Sequence, residues 1–181
     1  MSDPFALLQL PRRPLLTEDE IGSAYRRLAG KLHPDQPGGD VLLFKELGEA
    51  ASILRDPSRR IRELSGSTCE SQLPPKAAEL FPQVGSILQQ TEIQTEKQNS
   101  TSNALAKAVM AASLKKLRTD LHDILDQLEE WHSCLNQELA SIDSRWPEHD
   151  PKALSLLADS YAYARRWENQ LKERKLALDC L

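Results

Sequence analysis

In "KLHPDQPGGD", residues 31–40, an imidazole, a proline and a carboxylate stand side by side as His33, Pro34 and Asp35. Two uses fit that trio. Pro-Asp and Pro-Gly-Gly are ordinary loop chemistry. The same trio also suits recognition of a partner, because proline lowers the ordering cost of a loop and aspartate offers a charge-assisted contact. The other reactive side chains form no constellation. His33, His122, His132 and His149 show no i, i+4 pairing with one another, and no two of Cys69, Cys134 and Cys180 have zinc spacing. "PGGD" lacks the length and the Lys-Ser/Thr of a phosphate loop. No serine or cysteine has a recognisable nucleophile context. Glu129 and Glu130 are adjacent and so point to different sides of a helix. The expectation is a chain with no catalytic residues, no metal site and no cofactor, which is not an enzyme.

Charge and composition narrow the partners. A formal charge of −4 and a pI near 5.6 argue against general nucleic-acid or anionic-membrane binding. No apolar run approaches the roughly 20 residues that cross a bilayer. "MSDPFALLQL" has neither a basic leader nor a long apolar core, so no signal peptide is expected. Three widely spaced cysteines favour a reducing compartment over a disulfide framework. These readings place the protein in the cytoplasm.

The elements that must position the trio read as all-α, since glycine and β-branched residues are sparse and no alternating pattern persists. "DPFALLQL" is a short helix capped by Asp3 with Pro4 at its first position, and "PRRP" stops it. "LTEDEIGSAYRRLAGKL" opens with a Thr17/Glu20 capping box. Ile21, Ala24, Tyr25, Leu28 and Leu32 form its apolar stripe, while Arg26, Arg27 and Lys31 lie off that stripe. The helix ends because Pro34 biases His33 away from helical torsions. Asp40 caps the next helix, whose buried face is expected to hold Leu43, Phe44, Leu47, Ala50, Ala51 and Leu54. "RRIREL" adds a short turn. Two main antiparallel helices, joined by the loop and framed by short ones, therefore fill residues 1–66.

"SGSTCESQLPP" is polar and contains proline, which makes residues 67–75 a candidate linker. Leu80, Phe81, Val84, Ile87 and Leu88 then follow at helical spacing, and Pro82 is tolerable if that helix starts near Leu80 or Phe81. "QNSTSN" reads as a loop. Leu114, Leu117, Leu121, Ile124, Leu128, Trp131, Leu135, Leu139 and Ile142 step by threes and fours, the pattern of a long helix in a bundle or coiled coil. After "RWPEHDP", Asp150 and Pro151 start a last helix lined by Leu154, Leu157, Tyr161, Ala164, Trp167 and Leu171. The short connection implies antiparallel neighbours. Residues 76–181 are expected to be a three-helix bundle. Whether the three tryptophans serve a core or an interface stays open, as does the choice between monomer and dimer.

"DPFALLQLP", "IGSAYRRLAGKLHPD" and "FKELGEAASILRDP", in that order, resemble the J-domain family, the co-chaperones of DnaK-type (heat shock protein 70) chaperones. The likeness covers about residues 3–65. It implies that Tyr25, Arg26, Arg27 and Lys31 form a face for the ATP-bound chaperone, and that His33, Pro34 and Asp35 trigger ATP hydrolysis. It also implies that Phe44 and Leu47 pack the third helix and back the loop. Gly22 and Ser23 stand where the family is usually basic, and Gln36 where a Lys or Arg usually follows the tripeptide, so the positive face is shorter. The overall layout is similar to the HscB type of J-protein, which delivers an iron–sulfur scaffold to its chaperone. That likeness implies a protein client, an iron–sulfur scaffold among the candidates, although the family's client-binding motif is absent from "LFPQVGSILQQTEIQTEK". The rival expectation is a structural helical-bundle adaptor with a degenerate J-like segment.

Overall fold

The computed structural model describes residues 3–37, 39–66, 71–100, 104–148 and 150–179. Every regular element among them is a helix: α1 (Pro4–Leu8), α2 (Glu18–Leu32), α3 (Val41–Arg55), α4 (Pro57–Ser65), α5 (Pro75–Ser100), α6 (Ala104–Asp143) and α7 (Pro151–Asp179). The chain divides into two compact units. One is Met1–Gln72 with Asn136–Asp159, and the other is Leu73–Leu135 with Ser160–Leu181.

In the first unit the helix ends follow from the residues that cap them. Asp3 accepts from the Phe5 N–H at 3.1 Å and Pro4 opens α1. Asp56 does the same for α4, accepting from Ser58 N–H at 3.0 Å ahead of Pro57. Both satisfy N–H groups that a helix leaves orphaned. Phe5, Leu8, Leu16, Ile21, Ala24, Leu47, Ala50, Ala51 and Leu54 form the core. α2 and α3 run antiparallel, since Arg55 pairs with Glu18 at 2.8 Å while His33 meets Phe44 at the opposite end. Arg60 is buried and donates Nε to the Pro14 carbonyl at 2.7 Å, and Nη1 to the Leu54 carbonyl, fastening α4 beneath the pair.

Two carboxylates, Asp143 at the end of α6 and Asp159 two turns into α7, complete this unit. Asp143 accepts from the Leu15 N–H at 3.0 Å and stands 3.7 Å from Arg13. Asp159, almost wholly buried, accepts from Arg62 at 2.8 Å and from the Gln72 N–H at 2.8 Å. A buried carboxylate is tolerated because charge-assisted hydrogen bonds replace its water.

The second unit packs α5 with most of α6 and α7. Leu114, Leu117, Leu121, Ile124, Leu128, Trp131 and Leu135 are all buried, as are Tyr161, Ala164, Trp167 and Leu171. Leu139, Ile142, Leu154 and Leu157 continue both stripes, equally buried, into the first unit. The Trp131 and Trp167 rings lie 6.4 Å apart, and Arg118 donates to the Leu178 carbonyl. α6 and α7 are therefore antiparallel, and these two tryptophans are core. Asp150 caps α7 by accepting from the Lys152 N–H at 2.9 Å.

Four expectations need correction. α5 begins at Pro75, not near Leu80, so Pro82 lies inside it. The buried row of Ala77, Leu80, Val84 and Ile87 holds the helix through the one hydrogen bond that proline removes. Phe81 is exposed, not part of that row. The same helix continues to Ser100, so Gln98, Asn99 and Ser100 of "QNSTSN" are helical, and residues 101–103 lie outside the described ones. In α3, Leu43 is exposed: the core reaches only as far as Leu47, one turn deeper. Cys69, Cys180, His149 and residues 67–70 of the expected linker also lie outside the described residues. No helix among the described residues is long and apolar enough to cross a membrane.

Candidate functional site

The site is built at the C-terminal end of α2, and its construction begins at the other end of that helix. Thr17 donates its N–H to Glu20 at 2.7 Å while the Glu20 N–H donates to the Thr17 hydroxyl at 3.2 Å, a complete capping box. The Thr17 N–H, above all, holds the Glu20 carboxyl below its ordinary range. Burial opposes that shift, while the Thr17 hydroxyl and Arg13 add to it. Ile21 and Ala24 are buried; Tyr25, Leu28 and Leu32 are half-buried; Arg26, Arg27 and Lys31 are exposed. The stripe thus turns the three cations outward.

Charges along α2 are segregated by pairing. Glu18 is taken by Arg55 and Glu20 by Arg13, each at 2.8 Å. Among the described residues no ion pair involves Arg26, Arg27 or Lys31. Neutral groups hold two of them instead. Arg27 donates to the Gln9 side-chain oxygen at 2.8 Å, and Arg26 to the Ser23 hydroxyl at 3.3 Å. Neutral acceptors orient a guanidinium without cancelling its charge. Gly22 is buried under Arg26, whose guanidinium would lie 3.2 Å from any Cβ there. A side chain at 22 would displace Arg26. Tyr25 faces a different neighbour, with the Arg55 guanidinium 5.9 Å from its ring centre.

The loop after α2 is tied at both ends. The Asp40 N–H donates to the Leu32 carbonyl at 3.2 Å, the Gln36 N–H to His33 at 2.9 Å, and the Gly39 N–H to Gln36 at 2.9 Å. Asp40 then accepts from Leu42 and Leu43 N–H at 2.8 and 3.1 Å to start α3. A side chain at Gly39 would overlap the His33 carbonyl oxygen, so only glycine permits this closure.

His33 takes extended torsions (φ −56°, ψ 133°) ahead of Pro34, as pre-proline sterics require. Its Nδ1 accepts from the Asp35 N–H at 3.3 Å and stands 3.5 Å from the Asp35 carboxylate. The Phe44 ring meets the imidazole edge-on, with centroids 5.4 Å apart. His33 is therefore oriented from two sides, while the Asp35 side chain is 86% exposed and Pro34 is exposed. The arrangement leaves an oriented imidazole, a solvated carboxylate and three exposed cations without ion pairs among the described residues. No cluster of three or more metal-ligating side chains occurs among the described residues.

Sequence reading missed three supporting residues. Gly39 passed for generic loop glycine. Arg55, at the far end of α3, reaches both Glu18 and Tyr25. Gln9 ends α1 with a left-handed backbone, φ 55° and ψ 40°, and its side-chain oxygen accepts from Arg27.

Comparison with known proteins agrees with the geometry. The family described as DnaJ domain matches residues 3–62. Protein SIS1 of Saccharomyces cerevisiae is 49% identical over 47 residues, which cover 26% of this chain and 13% of that protein. Chaperone protein DnaJ of Hyphomonas neptunium is 54% identical over 46 residues, 24% of this chain and 12% of that one. Chaperone protein DnaJ 2 of Thermus thermophilus is 43% identical over 70 residues, covering 36% and 24%. The match to these relatives thus spans a quarter of their length or less. No solved structure matches the chain.

Proposed function

We propose that this chain, whose residues 3–62 match the family described as DnaJ domain, is a non-catalytic, cytoplasmic co-chaperone. It docks on a DnaK-type chaperone through Tyr25, Arg26, Arg27, Lys31, His33, Pro34 and Asp35, and stimulates ATP hydrolysis there. The observation that carries this reading is the oriented His33 at the end of a helix whose exposed cations are left without acidic partners. Unpaired cations steer encounter with an acidic surface and set the docking register. The tied loop lowers the entropy lost when the tripeptide is captured. Asp35, solvated in the free protein, gains a charge-assisted contact in the complex.

In this reading residues 1–66 act on the chaperone, residues 67–75 connect, and residues 76–181 hold a protein client. An iron–sulfur scaffold is the client to test first, on the strength of the HscB-like order of a J-domain followed by α5–α7. Single-turnover ATP hydrolysis by a DnaK-type chaperone tests the core of the proposal. The intact chain accelerates turnover and His33→Gln does not. Equal rates with both, or no acceleration by the intact chain, would return the J-domain to the role of a structural adaptor.

A further inference from the structure

The first turn of α3 exposes three consecutive apolar side chains: Val41 is 64% exposed, Leu42 74% and Leu43 40%. None belongs to the core cluster of their unit. Consecutive helix residues point about 100° apart, so the trio wraps the turn and cannot be buried by one small shift of the helix. The turn is also held firmly. Asp40 caps it twice, and the Asp40 N–H ties it to the last carbonyl of α2. One residue further on, Phe44 braces the His33 ring. A rigid apolar knob therefore adjoins the tripeptide. Exposed apolar surface is costly when contiguous and marks interaction sites.

We infer that Val41, Leu42 and Leu43 are a second, apolar contact for the same DnaK-type chaperone, placed beside the tripeptide. The inference rests on the co-chaperone reading above. The occupant is an apolar strip of the chaperone bordering the acidic surface that takes Arg26, Arg27 and Lys31. Two observations favour that occupant over a second copy of this chain. The knob is continuous with the proposed docking face through Phe44 and His33. Arg26, Arg27 and Lys31, in the same hairpin and without ion pairs among the described residues, match a partner that sets acidic beside apolar surface. The knob supplies what the short basic face lacks: binding that salt does not screen.

The test is a titration of ATPase stimulation with the full chain at low and high salt. The variants are Leu42→Ser, Val41→Ser/Leu42→Ser and Lys31→Gln. Leu42→Ser is expected to raise the half-maximal concentration about fivefold, as expected for partial burial of one leucine, and the double variant more. Both keep the intact chain's salt dependence, whereas Lys31→Gln weakens binding and flattens it. Stimulation by both serine variants at the intact chain's concentrations, with His33→Gln still inactive, overturns the apolar contact and leaves the co-chaperone reading standing. Serine variants that lose a concentration-dependent dimer in sedimentation but stimulate normally overturn it in favour of self-association. No stimulation by the intact chain removes both readings.

Discussion

The α2–α3 and α6–α7 hairpins are both antiparallel helix pairs, yet they use leucine in opposite ways. Along α6 every apolar step from Leu114 to Ile142 is buried. In α3 the apolar run Val41–Phe44 starts in solvent and reaches the core only at Leu47. Backbone hydrogen bonds run through both joining loops, but an obligatory glycine, Gly39, closes the α2–α3 loop. One hairpin is shaped to present a surface and the other to fill an interior.

Five substitutions break or sharpen that contrast. Leu128→Ala in α6, where the side chain is 1% exposed, is expected to cost about 3 kcal/mol, the usual result of a cavity left by a buried leucine. Leu42→Ala in α3 is expected to stay within about 0.5 kcal/mol on the same urea curve. A comparable loss at both sites would mean that α3 buries its first turn after all.

Gly39→Ala attacks the loop. The added carbon overlaps the His33 carbonyl, so the closure must open at a cost of about 1–3 kcal/mol. His33 loses its setting against Phe44, and ATPase stimulation falls more than the lost stability explains. Full stimulation by the alanine variant would show that the tripeptide works without this loop geometry.

The smallest effects belong to the cap of α2. Thr17→Ala is expected to lower stability by about 1 kcal/mol. Glu20 adds a pH signature. Its folded carboxyl lies below the ordinary 4.5, chiefly through the Thr17 N–H. The stabilisation is therefore complete above that value and is lost as pH falls through the lower folded one. Glu20→Gln is expected to flatten this part of the acid limb, read as urea midpoints between about pH 6 and about pH 3. A limb identical to that of the intact chain would assign the acid sensitivity elsewhere.

Much of the fold is legible residue by residue because its causes are local. Asp3, Thr17, Asp40, Asp56 and Asp150 each cap the helix that follows them within three residues. The nine-residue stripe of α6 is periodic enough to stand without neighbours. The errors at Pro82, Phe81 and Leu43 share one cause. Each turns on how far a core extends along a helix or on which side of the helix meets it, and the facing helices decide both.

What the sequence determined by itself is the order of the helices, the placement of His33, Pro34 and Asp35 after a capped basic helix, and the likeness to J-domains. These depend on capping, periodicity and spacing, all set within a few residues. Only the tertiary structure decided that Arg55 neutralises Glu18, that Gln9 holds Arg27 without cancelling its charge, and that Phe44 sets the His33 ring. It likewise decided that Val41, Leu42 and Leu43 face solvent. Those outcomes join residues 11 to 37 positions apart or depend on where a neighbouring helix ends. Distance through space and competition for a limited core govern them, and neither is written in any short stretch of the chain.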